Sequence, residues 1–582
     1  MTSSRAQFAE DLARFVKAEA EATRRSFLEQ WGLPVSERVA AGRCVTHLQF
    51  VSEKKSRLHF RCAEFHENNS DLREGEPVRL SRGDPNLPML AATLYRIEDR
   101  ELWIEPAGRW EHLTAELESE SFTLDPTYID LEQFYQNALR ELVETDRGRE
   151  RILPLLCSEI APKIDLARFD EAVKHAEDEG VNEAQSEAIA HAVATDLSHL
   201  VQGPPGTGKT FALAHIVRQR VARGERIAVT AVTHRAIHNA LNTIRQVAPE
   251  IDAIVKIGRE IYDPELTTPQ FPTFAASPLS GSGEAYVVGA TPFTLRSGRL
   301  RGVDFDTVVI DEAGQMTLPL AAMAMLCADR YILIGDHRQL PPIIQSGQWG
   351  AAPEDSSAFG ALRERGFNTM LEITYRMNTE LVKWPSESFY SGKLRSAEGT
   401  ARRRLALPQP AREFAEILDP NEPIVFVKLA HEDARRVSDD EAALAANLLV
   451  TLAQTGFPLA QAAVVTPFRR QARRIRSLLA ARAAISEQDR TDCVIDTVER
   501  LQGQQREVVI LSMTASHPDY LAKIAGFLLQ PQRLNVAVTR ARSKVIILGS
   551  AQIAEIDLLD TERGELVELW RSLIAGAKVV NG

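Results

Sequence analysis

The chain has 582 residues, with 80 Asp and Glu against 68 Lys and Arg, a net charge of −12, 44% hydrophobic and 25% charged residues. These are globular proportions, long enough for roughly three to five domains. They exclude a molecule-wide basic field, so a nucleic-acid partner would have to be held by a local groove. The five cysteines, Cys44, Cys62, Cys157, Cys327 and Cys493, are scattered without CxxC pairs or metal-ligand spacing, which predicts reduced thiols in a cytoplasmic protein. The longest apolar run, 318–328, is too short to span a bilayer, so neither a membrane segment nor a targeting segment is expected.

In chain order, Phe8, Leu12, Phe15, Val16 and Ala20 fall on one face of a helix that runs toward Trp31 and stops before Pro34. From about 43 to 124 the period becomes two: Leu58, Phe60 and Cys62 alternate with Arg57, His59 and Arg61, and further short runs are separated by turns such as Gly83-Asp84-Pro85. That spacing predicts a small β-barrel. Helical period returns with Leu131, Phe134, Tyr135, Ala138 and Leu142, so the barrel is flanked by two amphipathic helices, an appendage on a stalk. Segment 147–180, broken by Pro154 and Pro162, is expected to pack this stalk onto the first of two cores.

Strand and helix then alternate. Buried strands are predicted at 199–202, 226–231, 286–290, 307–310 and 331–334, and a second series at 424–427, 462–465, 494–496, 507–511 and 544–548. Two parallel-sheet α/β cores in series are the expected result. Stretches 258–282 and 397–410 read as loops or small insertions. The expected domains are a stalk helix at 1–42, the barrel at 43–125, a second stalk helix and linker at 126–180, a first core at 181–350 and a second at 351–582.

The chemistry centres on GPPGTGKT: Gly203, Pro204, Pro205, Gly206, Thr207, Gly208, Lys209 and Thr210. A strand precedes it and a helix succeeds it, the context of a phosphate-binding loop. The glycines let backbone N–H groups point into one concavity, Lys209 reaches the terminal phosphates, and Thr210 offers a hydroxyl to Mg²⁺. Next, 308–312 is a buried strand ending in adjacent carboxylates; Asp311 suits Mg²⁺ and Glu312 a base for the attacking water. Gln339, in the polar turn 335–342, is placed to sense a γ-phosphate or position water. Phosphoryl transfer gains most from positive charge around the transferring group, and the second core offers Arg376 and Arg540. For a single strand, the helix after Pro467 carries Arg469, Arg470, Arg473, Arg474 and Arg476 without an acid, with 469, 473 and 476 on one face. No aromatic platform stands out, although Phe293 and Phe468 adjoin candidate strand-binding loops.

Together these stretches resemble the group B, Upf-like branch of the superfamily 1 helicases, in a bacterial-type form without the Cys/His-rich front domain or nuclease motif that some members carry. The resemblance covers nearly the whole chain. It implies two RecA-like cores in tandem behind a β-barrel on a helical stalk, with the barrel lying over the nucleic-acid channel. It also implies that Gln185 reads adenine, that Tyr375 stacks on adenine beside Arg376 at the γ-phosphate, and that Arg540 is the arginine finger. Thr233 and His234, Thr291, and Thr466 with Pro467 resemble strand-binding motifs. The stretch 496–507 resembles a further motif in which Gln505 stands where the family has an acidic residue; an amide can accept a ribose hydroxyl but offers no charge. The implied activity is ATP- and Mg²⁺-dependent translocation, 5′ to 3′ on single-stranded nucleic acid, with DNA favoured over RNA because no added RNA-binding domain is visible. A nucleotide-switched clamp, or an ATPase subunit of a larger complex without unwinding of its own, is the competing expectation.

Overall fold

The computed structural model describes residues 3–62, 72–98, 100–259, 266–347, 353–482, 485–501, 503–556 and 561–582. The expected insertion at 258–282, the start of the second core at 351 and the motif at 496–507 therefore fall partly outside the described residues.

The long first helix spans Ser3–Trp31 and its return partner Glu132–Glu144. Their apolar stripes meet: Leu12, Ala138 and Leu142 are buried in the same cluster as the strands of the first core. The stalk is thus anchored by shared packing, reinforced by Arg147, which pairs with Asp304 at 3.1 Å and Asp329 at 2.9 Å from a short π-helical turn, Arg147–Ile152.

Six antiparallel strands, Val45–Lys54, Arg57–Arg61, Pro77–Ser81, Leu90–Glu98, Glu101–Pro106 and Ser121–Pro126, close into a barrel. Alternation puts Leu58, Phe60, Leu80, Leu94, Ile104 and Leu124 inside at 0% exposure. One charged pair is buried with them: Arg38 donates to the Asp125 carboxylate and to the Gly83 carbonyl, with Arg38 1% and Asp125 0% exposed. Removing one partner of such a pair strands the other charge in the interior. Arg38→Met is therefore expected to destabilise the barrel by about 3–5 kcal/mol, read as an earlier first unfolding transition in urea and faster proteolysis between residues 43 and 125.

The two cores are parallel sheets in tandem. The first has eight strands, in the order Gln270–Phe271, Ile254–Ile257, Val287–Gly289, Ile227–Thr230, Phe305–Ile310, Ala328–Gly335, Ser198–Gln202 and Asn368–Met370. The second has six, in the order Val494–Thr497, Ala462–Thr466, Arg506–Ser512, Ala541–Ser550, Ile424–Leu429 and Lys578–Asn581. Their central strands are nearly continuous apolar runs with both faces covered, as parallel sheets require. The fold is thus two RecA-like cores with an N-terminal barrel on a helical stalk.

The first sheet does not stop at the expected boundary at 350. Asn368–Met370 pairs in parallel with the strand that leads into the phosphate loop, so the chain adds an edge to the first core before it enters the second. Three residues, Asn-Thr-Met, carry too little alternation to announce a strand. Gln270–Phe271 escapes notice similarly, as two strand residues in a Pro, Gly, Ser and Thr-rich stretch.

Candidate active site

The strand Ser198–Gln202 delivers Gly203–Thr210 to the C-terminal edge of the first sheet, where the helix Lys209–Val221 begins. Gly206 and Gly208 take φ of 77° and 83°, left-handed values that fold the loop into a cradle. The Lys209 ammonium donates to the Gly203 carbonyl at 2.6 Å, and Gln185, 3% exposed, donates to the Thr207 carbonyl at 2.9 Å. Gln185 thus braces the loop directly. Asn182 caps the Gln185 helix and donates to the Tyr375 hydroxyl at 2.8 Å, leaving the ring 47% exposed at the cleft mouth.

Asp311 and Glu312 come directly after Phe305–Ile310 on the same sheet edge. Burial, then the neighbouring Glu312 charge, pushes the Asp311 carboxyl up to about 7. Glu312 holds a left-handed φ of 51° and accepts from the Gln315 amide at 3.0 Å, a strained placement of the kind found where a side chain must be aimed. The Thr210 hydroxyl accepts from Asn239 at 3.4 Å. The Thr210 hydroxyl and the buried Asp311 carboxylate, only partly offset by the Lys209 charge, are the oxygen donors that would suit Mg²⁺.

The second core presses onto this loop. Tyr375 donates its backbone N–H to the Gly206 carbonyl at 2.8 Å, and the Thr374 hydroxyl donates to the Pro205 carbonyl at 2.8 Å. Arg376 donates to the Gln505 side-chain oxygen at 3.0 Å and to the Thr539 carbonyl at 2.8 Å. Arg540 donates to the Gln339 side-chain oxygen at 3.3 Å and to the Gln504 carbonyl at 3.2 Å. Burial holds the Arg376 guanidinium down at about 9, with Arg540 as the next cause, and holds Arg540 at about 10. Among the described residues neither arginine has a carboxylate ion-pair partner. The buried Arg540 and half-buried Arg376 guanidiniums beside a phosphate cradle are an anion site.

Lys209, Glu312, Gln339, Arg376 and Arg540 are therefore brought to one cleft. Gln505 supports Arg376 through its side-chain oxygen. Sequence reasoning missed the bridge that couples the cores: the Asp336 carboxylate accepts from Gln339 at 2.9 Å and from the Tyr390 hydroxyl at 2.8 Å, and Asn535 donates to that hydroxyl at 2.9 Å. Asp336 lies in the same polar turn as Gln339, which is the one signal for it; Tyr390, at the end of an ordinary helix, gives none. The fit at Gly206 is close enough to test. A Cβ there would sit 2.5 Å from the Arg376 Cβ and 2.6 Å from the Thr374 hydroxyl, on a backbone that costs a non-glycine residue about 1–2 kcal/mol. Gly206→Ala should raise the Kd for ATP by at least about tenfold, measured by titration with a fluorescent ATP analogue.

Two family models described as AAA domain match the chain in succession, over residues 180–358 and 355–552. The DNA replication ATP-dependent helicase/nuclease DNA2 of Saccharomyces cerevisiae is 27% identical over 72% of this chain and 29% of its own length. The DNA polymerase alpha-associated DNA helicase A of Schizosaccharomyces pombe is 28% identical over 60% of this chain and 61% of its own. The regulator of nonsense transcripts 1 homolog of Drosophila melanogaster is 28% identical over 61% of this chain and 33% of its own. This chain belongs to the Upf-like, group B branch of the superfamily 1 helicases. It spans between 29% and 61% of the lengths of these relatives.

In this Upf-like chain a cavity of about 1080 Å³ lies between the stalk, the barrel and both cores. Of the expected strand contacts, Thr233, Pro467 and Arg469 line it, joined by Arg43 and Arg73 before and within the barrel and Arg500 from the second core. The others are placed differently. Thr466 is 0% exposed, its hydroxyl shared with Thr514 at 3.2 Å, so it holds the turn. Burial, then Lys256 and His238, push the His234 imidazole down to about 4, so it is neutral at pH 7. Thr291 spends its hydroxyl capping Pro292–Leu295. Neither Thr291, His234 nor Arg473 lines the cavity. The basic helix divides its arginines, with Arg474 paired to Asp439 at 2.6 Å and Arg476 donating to the Ile495 carbonyl at 3.1 Å. A run of like charges at helical spacing does not say which of them a neighbouring strand will claim.

Proposed function

We propose that the chain is an ATP-dependent translocase and helicase, moving 5′ to 3′ on single-stranded nucleic acid, with DNA favoured over RNA, in the cytoplasm. The observation that carries this reading is the convergence of Lys209, Asp311, Glu312, Gln339, Arg376 and Arg540 on a single cleft between two cores, next to a cavity lined by both arginines and carboxylates. The relatives named for DNA replication and for DNA polymerase alpha support the DNA preference, and cysteines without disulfides support the compartment.

In this mechanism Lys209 and the loop N–H groups hold the phosphates of ATP, and Gln185 and Tyr375 frame the base. Mg²⁺ held by Thr210 and Asp311 would neutralise phosphate charge. Glu312 takes the proton of the attacking water, while Arg376 and Arg540 stabilise charge on the transferring group. Gln339 links that event to Asp336, Tyr390 and Asn535, and so to the angle between the cores. Because Thr233 belongs to the first core and Pro467 and Arg469 to the second, a change in that angle moves the two halves of the strand site relative to each other.

The test is unwinding of a duplex with a 5′ tail, against the same duplex with a 3′ tail, at one salt concentration. Opening of the 5′-tailed substrate alone is the expected result. Opening of neither, with ATP turnover still responsive to a single strand, would favour the clamp reading, which the Arg376 to Gln505 contact also allows: it ties down the γ-phosphate arginine with an amide where the family has an acid.

A further inference from the structure

The cavity has one wall that no helicase motif accounts for. The helix Pro518–Leu528 turns Leu521, Ala525 and Leu528 inward at 3% exposure or less. Phe527 is not on that buried face; it is 39% exposed and lines the cavity with Pro467, Arg469 and Arg533. A lone exposed phenylalanine means little. This one is held in place: the Phe468 ring lies 5.9 Å away at 31°, and Phe468 is backed in turn by Tyr520 at 6.3 Å and 39°. The Arg533 guanidinium sits 4.1 Å from the Phe527 ring centroid, oriented by Glu499 at 2.5 Å and Gln530 at 2.9 Å. Tyr520, Phe468, Phe527 and Arg533 thus form a run of flat groups whose open end faces the cavity. Phe293 contrasts with it, edge-on to Phe134 and Tyr135 in the packing of the stalk.

We propose that Phe527, backed by Phe468 and flanked by Arg533, is the stacking platform for a nucleobase of the single strand in this cavity. The inference rests on the proposed function, since it deepens the reading of the same cavity. A strand that must slide cannot be held by base-specific hydrogen bonds; a π face accepts any base, while arginines beside it neutralise the phosphates. Phe527 touches Arg533 and lines the cavity together with Arg469 and Pro467. The Arg533 guanidinium, stacked over the ring and ion-paired to Glu499, adds a planar face of its own at the open end of the run, since arginine stacks on aromatic faces.

The test measures the affinity of the full chain, without nucleotide, for an oligo(dT) and for an abasic oligomer of equal length at one salt concentration. The parental chain should prefer oligo(dT), and Phe527→Ala should lose about tenfold on oligo(dT) with little change on the abasic strand. Phe527→Tyr should keep the preference, and Phe527→Trp should show its indole fluorescence quenched by oligo(dT). A parental chain without preference for bases, or Phe527→Ala that retains that preference, overturns the platform and leaves the helicase reading intact. A parental chain that binds neither oligomer overturns both.

Discussion

An Arg540→Ala chain is expected to hydrolyse ATP about 10³- to 10⁵-fold more slowly than the parent, with ATP binding weakened far less. Arg540 is 2% exposed and, among the described residues, hydrogen-bonds only to neutral groups, namely Gln339 and the carbonyls of Gln504 and Val536. Burial lowers its pKa and that of Arg376 because nothing nearby fully compensates the charge. A γ-phosphate would reverse that, favouring both charged forms, and the gain grows as negative charge builds on the transferring group. Arg540→Lys should recover only part of the loss, because an ammonium keeps the charge but not the planar fork that reaches Gln339 and the phosphate together. Single-turnover hydrolysis beside nucleotide titration separates the chemical step from binding. A loss confined to affinity would remove Arg540 from the transition state.

Glu312→Gln is expected to slow turnover by about 10²- to 10⁴-fold, the usual contribution of a general base. The amide keeps the size and the hydrogen-bonding reach of the carboxylate, and the left-handed backbone at 312 is unchanged, so the fold and the ATP affinity should persist. The substitution also removes the charge that contributes to raising the Asp311 carboxyl to about 7, which should leave Asp311 more fully ionised at neutral pH and strengthen cation binding. Retained ATP affinity and tighter Mg²⁺ binding with lost turnover are therefore the signature. Parental turnover would mean that the base lies elsewhere.

The fold was legible because parallel strands buried on both faces read as apolar runs, and the two series of them were separable by eye. The grouping of the candidate site was legible for a related reason: Lys209, Asp311, Glu312 and Arg540 each sit at an element end beside residues whose types suit phosphate chemistry. What stayed hidden depends on packing between distant segments. Tyr390 becomes important only because Asp336 and Asn535 arrive from two different cores. Thr466 carried the right residue type, yet Thr514 claims its hydroxyl. Phe527 reads as one more apolar residue of a helix unless Phe468 and Arg533 are placed on either side of it.

Coupling of ATP hydrolysis in this one cleft to work on a single strand is tested most directly by the steady-state ATPase rate without nucleic acid, with single-stranded DNA and with single-stranded RNA at one salt concentration. Strong stimulation by DNA, weaker by RNA, is the predicted result. A rate indifferent to both polymers would contradict it.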